Sequence, residues 1–202
     1  MINYVLTLLA RFITGAGSAH WLGCAPEPKQ RIYFANHTSN LDALILWAGL
    51  PSIVRNVTRP VAAHDYWTGD PLRRYLASNV FKAILIERKK VTVSTNPIPQ
   101  VLNAMGSDSS IIIFPEGKRN MGPEIGEFKS GLYHLATSRP DVELVPVYLQ
   151  NLNRILPKGE FLPVPVFASI YFGAPIKVEE GERKLDFLQR AKKCVEALRS
   201  EY

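Results

Sequence analysis

The sequence has few of the residues that hold small proteins together by disulfides or metal ions. Its only two cysteines, Cys24 and Cys194, lie near opposite ends of the 202-residue chain. No cysteines or histidines stand at the spacing of a metal site, so neither a disulfide framework nor a metal-binding motif is indicated. This cysteine usage suits a reducing compartment.

Internal repeats, low-complexity tracts and an apolar run long enough to span a bilayer are also lacking. The apolar segment 1–13 is too short for a span, is interrupted by Arg11 and lacks the basic start of a signal peptide. We assign residues 1–22 to an amphipathic helix that either packs on its own domain or lies in a membrane interface. Its apolar residues at helical spacing are Val5, Leu8, Leu9, Phe12 and Ile13.

The composition that remains is that of one globular domain, which we assign to residues 23–202. Hydrophobic residues make up 47% and charged residues 21%, and a chain of this length can bury a sizeable core. The net charge of +6 favours anionic partners, which include nucleic acid, an anionic membrane surface and phosphorylated small molecules. The usual signatures of nucleic-acid modules are absent, so we expect no nucleic-acid partner.

Short apolar segments alternate with helical ones along the chain. Strands are predicted at 31–35, 59–63, 83–86, 111–114, 143–149 and 166–172, and helices at 41–50, 71–79, 99–105, 129–138 and 182–199. This alternation predicts an α/β single domain with a mixed, largely parallel central sheet flanked by helices. Pro146, inside a predicted strand, indicates an edge position or a bulge. Such sheets carry their chemistry at the carboxyl ends of the strands.

The first polar cluster at a strand end contains His37 and Asp42. A histidine can take a proton near neutral pH, and a carboxylate can orient its ring. Five residues of ideal helix would place the two side chains about 140° apart. They can therefore meet only if His37 lies on the turn before the helix and Asp42 in its first turn. As an alternative, Ser39-x-x-Asp42 is a capping box in which Asp42 serves only the helix N-terminus.

The second polar cluster, residues 114–120, follows the predicted strand 111–114. A turn with a glycine, a carboxylate and two cations can bind a phosphate ester, with Arg119 as a planar fork and Lys118 as a compact charge. A charged surface turn is the alternative. Arg88 and Lys129, each taken alone, have the pattern of solvated charges.

Four motifs in order resemble the glycerolipid acyltransferase family, which includes 1-acylglycerol-3-phosphate acyltransferases and related lysophospholipid acyltransferases. They are Asn-His-x-Ser-x-x-Asp, an arginine ending a strand, Phe-Pro-Glu-Gly-x-Arg, and Val-Pro-Val, within residues 32–149. The resemblance implies transfer of a fatty acyl group from acyl-CoA or acyl carrier protein to the hydroxyl of a lysophosphatidic-acid-like acceptor, in phospholipid biosynthesis. It implies a membrane lipid surface as partner, peripheral attachment to the cytoplasmic face of the inner or plasma membrane, and no metal or redox cofactor.

The resemblance also implies roles for individual residues. His37 would be the general base and Asp42 would orient it. The acceptor and its phosphate would be bound by Arg88, Glu116, Gly117, Lys118, Arg119 and Lys129. The acyl-donor side would include Val145, Pro146 and Val147, which the sequence pattern alone assigns to the core. Lys118 stands where the family usually has threonine, which fits a doubly charged phosphate or indicates a different acceptor.

Three other functions remain open at this point. A remodelling acyltransferase would use a lysophospholipid with a headgroup, or an amino-lipid, as acceptor. A hydrolase would cleave the thioester with water. A basic peripheral membrane-binding protein without catalysis would fit the net charge, but it leaves His37, Asp42 and Glu116 without a role.

Overall fold

A computed structural model describes residues 19–87, 96–120, 122, 124–151 and 168–200. Residues 1–18 of the predicted amphipathic helix, and Arg88, lie outside this part of the chain. The prediction of a helix through residue 22 is wrong at its carboxyl end, because Ala19–Trp21 forms a β-strand.

The described chain forms seven strands and seven helices. The strands are β1 (Ala19–Trp21), β2 (Arg31–Ala35), β3 (Thr58–Ala63), β4 (Ile84–Ile86), β5 (Ser110–Ile113), β6 (Glu143–Gln150) and β7 (Ser169–Phe172). The helices are α1 (Asp42–Gly49), α2 (Ser52–Arg55), α3 (His64–Thr68), α4 (Pro71–Tyr75), α5 (Pro97–Met105), α6 (Gly131–Ser138) and α7 (Lys184–Ser200). A π-helical turn, Leu76–Val80, continues α4.

None of the helices in the described ranges is long and apolar enough to cross a membrane.

All seven strands belong to one sheet, in the order β1-β7-β6-β2-β5-β3-β4. The five strands β6, β2, β5, β3 and β4 are parallel, β7 is antiparallel to β6, and β1 is parallel to β7. The predicted mixed, largely parallel sheet is therefore confirmed. The five parallel strands end on one side of the sheet, which we call the carboxyl edge.

The central strands are apolar along their whole length because both faces of the sheet are covered. Every residue of β2 and of β5 is buried. Alternate residues of β2 enter two separate cores: Tyr33 packs with α1 on one face, and Phe34 packs with α5, α6 and α7 on the other.

Pro146 lies in an interior strand, so the prediction of an edge position is wrong. β6 pairs with β2 on one side and with β7 on the other. The register between β6 and the chain after β7 shifts by one residue across Pro146, which is a bulge-like irregularity. The Pro146 carbonyl accepts a hydrogen bond from Gly173 N–H at 2.9 Å. The proline nitrogen, which has no proton, faces the same irregular side, so no ladder bond to β2 is lost.

Candidate active site

The His37–Asp42 pair lies at the carboxyl edge, immediately after β2. His37 is on the turn that follows the strand, and Asp42 is the first residue of α1. The His37 Nδ1 atom is 2.8 Å from Asp42 Oδ2. The Asp42 side chain is fully buried, whereas the His37 side chain is 22% exposed. The two side chains therefore meet in the geometry that the spacing predicted.

Asp42 also closes the turn that precedes α1, although α1 has Leu41 as its N-cap and no side chain caps it. Its Oδ2 atom accepts hydrogen bonds from Thr38 N–H at 2.6 Å and from Ser39 N–H at 2.8 Å. These two N–H groups hold the carboxylate in place independently of the imidazole. One carboxylate oxygen thus orients the ring and closes the turn, whereas the predicted capping box with Ser39 as N-cap does not form, because the Ser39 hydroxyl accepts from Leu41 N–H at 3.2 Å.

The imidazole of His37 is fixed on a second side by an aromatic ring. Phe114, the residue after β5, stacks on it with ring centroids 4.4 Å apart and planes inclined by 23°. A neutral imidazole that donates its Nδ1 proton to Asp42 presents the lone pair of Nε2 on its other side. Such a ring can accept a proton from a hydroxyl group.

The loop after β5 carries the glycine and cations of the second cluster. Gly117 has a φ of +71°, a conformation that glycine adopts without steric cost. A Cβ atom added there would lie 2.9 Å from Cε of Lys129. Lys129 is held beside the loop by its N–H, which donates to the Pro115 carbonyl at 2.9 Å. Gly117 therefore allows a third cation to approach Lys118 and Arg119.

Glu116 lies below this loop and is 4% exposed. Its Oε1 atom accepts a hydrogen bond from His37 N–H at 2.8 Å, and its Oε2 atom accepts one from Gly126 N–H at 2.9 Å. The His37 carbonyl accepts a hydrogen bond from Asn120 N–H at 2.7 Å. The two polar clusters of the sequence are thus bonded to each other through the main chain of the histidine.

A cavity of about 560 Å³ opens beside the imidazole. Its polar end is lined by His37, Lys118, Arg119 and Lys129. Its apolar end lies between β3, β5, α5 and α6 and is lined by Val61, Ile98, Val101, Ile113, Leu132 and Leu135. The cavity thus combines a base, a cationic group of side chains and a hydrocarbon-like wall. The last residue of β4, Ile86, also lines it. Arg88 itself is outside the described residues.

The Val-Pro-Val segment lies in the core of β6. Val145 and Val147 have no exposed surface, and Pro146 is buried. None of the three lines the cavity. Their placement agrees with the interpretation that they belong to the core. Their assignment to the acyl-donor side stays a prediction, and they could influence the donor only through the residues that pack against them.

Asn36 is a site residue to which the sequence interpretation gave no role. Its side-chain amide donates to the Leu149 carbonyl at 3.1 Å and accepts from Leu149 N–H at 2.7 Å. It therefore fastens the end of β2, one residue before His37, to the end of β6. The sequence feature that could have indicated this role is an asparagine directly after an apolar strand, because its side-chain amide can donate and accept a hydrogen bond at the same time.

Among the described residues, no three His, Cys, Asp or Glu side chains cluster closely enough to hold a metal ion.

Three comparisons with known proteins bear on this site. Relatives include 1-acyl-sn-glycerol-3-phosphate acyltransferase alpha of Mus musculus, 26% identical over 77% of this chain and 53% of the relative. The 1-acyl-sn-glycerol-3-phosphate acyltransferase of Limnanthes douglasii is 27% identical over 78% of this chain and 54% of the relative. The chain spans about half the length of the curated relatives it matches.

The fold is similar to that of a solved structure, the 1-acyl-sn-glycerophosphate (LPA) acyltransferase PlsC from Thermotoga maritima. The TM-score is 0.68 at 20% identity, over 99% of this chain and 82% of that chain. The sequence model of the family described as Acyltransferase matches residues 24–150, which contain the histidine turn, the cationic loop and β6. Since this match covers more than half of the sequence, the chain belongs to the Acyltransferase family.

Proposed function

We propose that this protein transfers a fatty acyl group from a thioester donor to the hydroxyl of a lysophosphatidic-acid-like acceptor, in phospholipid biosynthesis. One observation carries the proposal: an imidazole oriented by a buried carboxylate lines the same cavity as three cationic side chains. The names of the relatives, 1-acyl-sn-glycerol-3-phosphate acyltransferases, support the same acceptor.

In the proposed reaction the acceptor hydroxyl lies against Nε2 of His37. The imidazole removes the hydroxyl proton while the oxygen attacks the thioester carbonyl, and Asp42 stabilises the imidazolium that forms. The carbon–sulfur bond then breaks, and the thiolate leaves with the proton that His37 returns. Base catalysis by a positioned side chain of this kind is typically worth about 10²–10⁴-fold.

Direct transfer is favoured over a covalent acyl-cysteine. Burial raises the pKa of both the Cys24 and the Cys194 thiol above the ordinary value, so neither is readily ionised. Neither cysteine lines the cavity.

The cationic end of the cavity would hold the acceptor phosphate. Arg119 offers a planar pair of N–H donors, and Lys118 and Lys129 add compact positive charges. Arg88 belongs to the same proposed set. Holding the phosphate also holds the acceptor hydroxyl near His37, which contributes by positioning. The apolar end of the cavity would remove an acyl chain from water.

Because both substrates carry hydrocarbon chains, we propose that the protein works at a lipid surface. It would be attached peripherally, at the cytoplasmic face of the inner or plasma membrane, through the apolar stripe of residues 1–17. The donor would be acyl-CoA or an acyl carrier protein thioester.

The test is an acyl-transfer assay with purified protein, both donor classes, and a panel of acceptors with and without a terminal phosphate. We expect acceptor-dependent thiol release that is fastest with lysophosphatidic acid. His37→Ala should abolish it, whereas the control His134→Ala, at an exposed position of α6, should retain it. Faster transfer to a headgroup-bearing or amino-lipid acceptor would favour remodelling. Donor consumption without acceptor would favour hydrolysis, and retained transfer by purified His37→Ala would refute the base assignment.

A further inference from the structure

We propose that Glu116 is a positioning residue that holds the main chain of His37 against the phosphate-binding loop and makes no contact with the acceptor. This inference rests on the proposed function, in which His37 is the base, and it changes the role expected for Glu116 from substrate binding to support of the histidine.

Both oxygens of the Glu116 carboxylate are already engaged by the main chain. Oε1 accepts from His37 N–H at 2.8 Å and Oε2 from Gly126 N–H at 2.9 Å. The residue is 4% exposed and does not line the cavity, whereas the next three residues of the chain do. An ionised carboxylate is only an acceptor of hydrogen bonds, so it has no proton to offer a phosphate and would repel one.

The packing at Gly126 leaves room for the Glu116 carboxylate. A Cβ atom added to Gly126 would lie 2.6 Å from Glu116 Oε2, so residue 126 must lack a side chain for the carboxylate to keep its place. Glu116 therefore connects positions 116 and 126 of the chain directly, while Lys118 and Arg119 are exposed.

The consequence for the histidine is that three separate bonds fix it. Asp42 holds the ring, Glu116 holds the main-chain N–H, and Asn120 N–H donates to the main-chain carbonyl. The last two bonds come from the loop that carries the phosphate-binding cations. Glu116, together with Asn120, thus sets the separation between the base and the proposed phosphate site, and the rate should depend on Glu116 through geometry rather than through acceptor affinity.

The experiment compares Glu116→Gln with Glu127→Gln, a control on the same segment whose side chain is 83% exposed. A glutamine has one acceptor oxygen and would direct its amide N–H groups at one of the two main-chain N–H groups. Each variant is assayed for kcat and acceptor KM. Each is also labelled with ¹⁵N-histidine, which gives one backbone amide signal for each of the four histidines. His37→Ala identifies the relevant signal.

We expect Glu116→Gln to lower kcat by about 10–100-fold with an acceptor KM within about 3-fold of wild type, because base and hydroxyl are misaligned. The His37 amide signal should move in this variant alone. A raised acceptor KM with unchanged kcat and an unmoved His37 signal would overturn the proposal, because Glu116 would then act on the acceptor.

A second pair of variants covers the case in which Glu116→Gln does not fold. Gly126→Ala displaces the carboxylate without removing it, while Gly69→Ala is a control whose Cβ would meet only an ordinary contact at 3.6 Å. Gly126→Ala should lower kcat and move the His37 signal; a folded variant with neither effect overturns the proposal. The backbone amide signal of His37 can be measured without any substrate. If no acceptor supports transfer, the proposed function fails while the spectrum still decides the positioning role.

Discussion

At the scale of single residues, the site depends on the Asp42 Oδ2 atom, which serves both the imidazole of His37 and two main-chain N–H groups. This arrangement gives the ring a fixed orientation. It also fixes the tautomer with the proton on Nδ1, since a carboxylate can only accept a hydrogen bond from that atom. A substitution of Asp42 should therefore affect both the orientation of the His37 ring and the stability of the turn.

Asp42→Asn should reduce kcat strongly and also lower the thermal midpoint. An amide that donates to Nδ1 favours the tautomer with a proton on Nε2, which cannot act as a base, so we expect a loss of about 10²–10⁴-fold. Steady-state kinetics and thermal unfolding measure the two effects, with Asp108→Asn on an exposed turn as control. Full activity in folded Asp42→Asn would show that the ring needs no carboxylate.

Arg119→Ala should weaken use of the acceptor far more than use of the donor. Losing a bidentate donor to a phosphate removes about 1.5–3 kcal/mol of interaction, or roughly 10–100-fold in kcat/KM for the acceptor. Kinetics with each substrate varied in turn measure this, and Arg183→Ala, just before α7 and with a side chain that is 82% exposed, is the control. Equal losses for both substrates, or an unchanged acceptor kcat/KM, would contradict the assignment.

The resemblance to the acyltransferase family predicted that Asp42 orients His37, and the five-residue spacing allowed this contact in one geometry, across a helix start. The sequence did not predict the hydrogen bonds of Glu116 and Asn120. A polar residue in a turn gives no indication of whether its side chain points outward to a ligand or inward to the main chain. That direction is set by contacts across 79 residues of sequence, between Glu116 and His37.

At the scale of elements, β2 and β5 are neighbours in the sheet, and the loops that follow them form the site together.

Most strands and helices agree with the predicted ones to within a few residues. The predicted helix 71–79 is instead α4 followed by a π-helical turn, in which Phe81 N–H donates to the Leu76 carbonyl. Apolar periodicity cannot distinguish these two hydrogen-bond patterns over so short a stretch. It also could not show that β6 is interior, because pairing partners are not encoded locally.

The first half of α7 is tied to the preceding loop by a bidentate ion pair. Arg190 donates to both oxygens of Glu182, at 2.8 and 2.7 Å, and this bonding lowers the pKa of Glu182 from its ordinary value of 4.5. A lowered folded-state pKa stabilises the fold above the ordinary pKa, and this stabilisation is lost as pH falls through the folded-state value.

Glu182→Gln should therefore destabilise the protein at neutral pH by about 1 kcal/mol, a modest value because the pair is partly exposed to solvent. The difference from wild type should shrink towards zero at an acidic pH below the lowered folded-state pKa of Glu182, where the wild-type carboxylate is protonated. Urea unfolding at both pH values measures this, and Glu180→Gln, at an exposed position, is the control. A difference that stays constant with pH would indicate that packing, not charge, is responsible.

At the scale of the whole molecule, the net charge of +6 and the apolar stripe of residues 1–17 predict binding to anionic vesicles. A variant that lacks residues 1–17 keeps β1 complete, because β1 begins at Ala19. It should float with liposomes less than the full chain does, and the remaining binding should fall with added salt. Undiminished flotation at both salt levels would mean that this segment is not the anchor.

The fold class could be predicted at this scale because alternating strands and helices have few stable arrangements. The sheet order could not, since β7 and β1 depart from the parallel direction through contacts that only the folded chain makes.

The direction of β1 makes position 19 a useful place for a probe. β1 runs antiparallel to β2, so Ala19 lies on the side of the sheet where β2 ends. Three strand spacings separate the two, a lateral distance of about 14 Å. A fluorophore attached there would be within energy-transfer range of a labelled lipid beside His37, and would report substrate arrival while leaving the histidine turn unmodified.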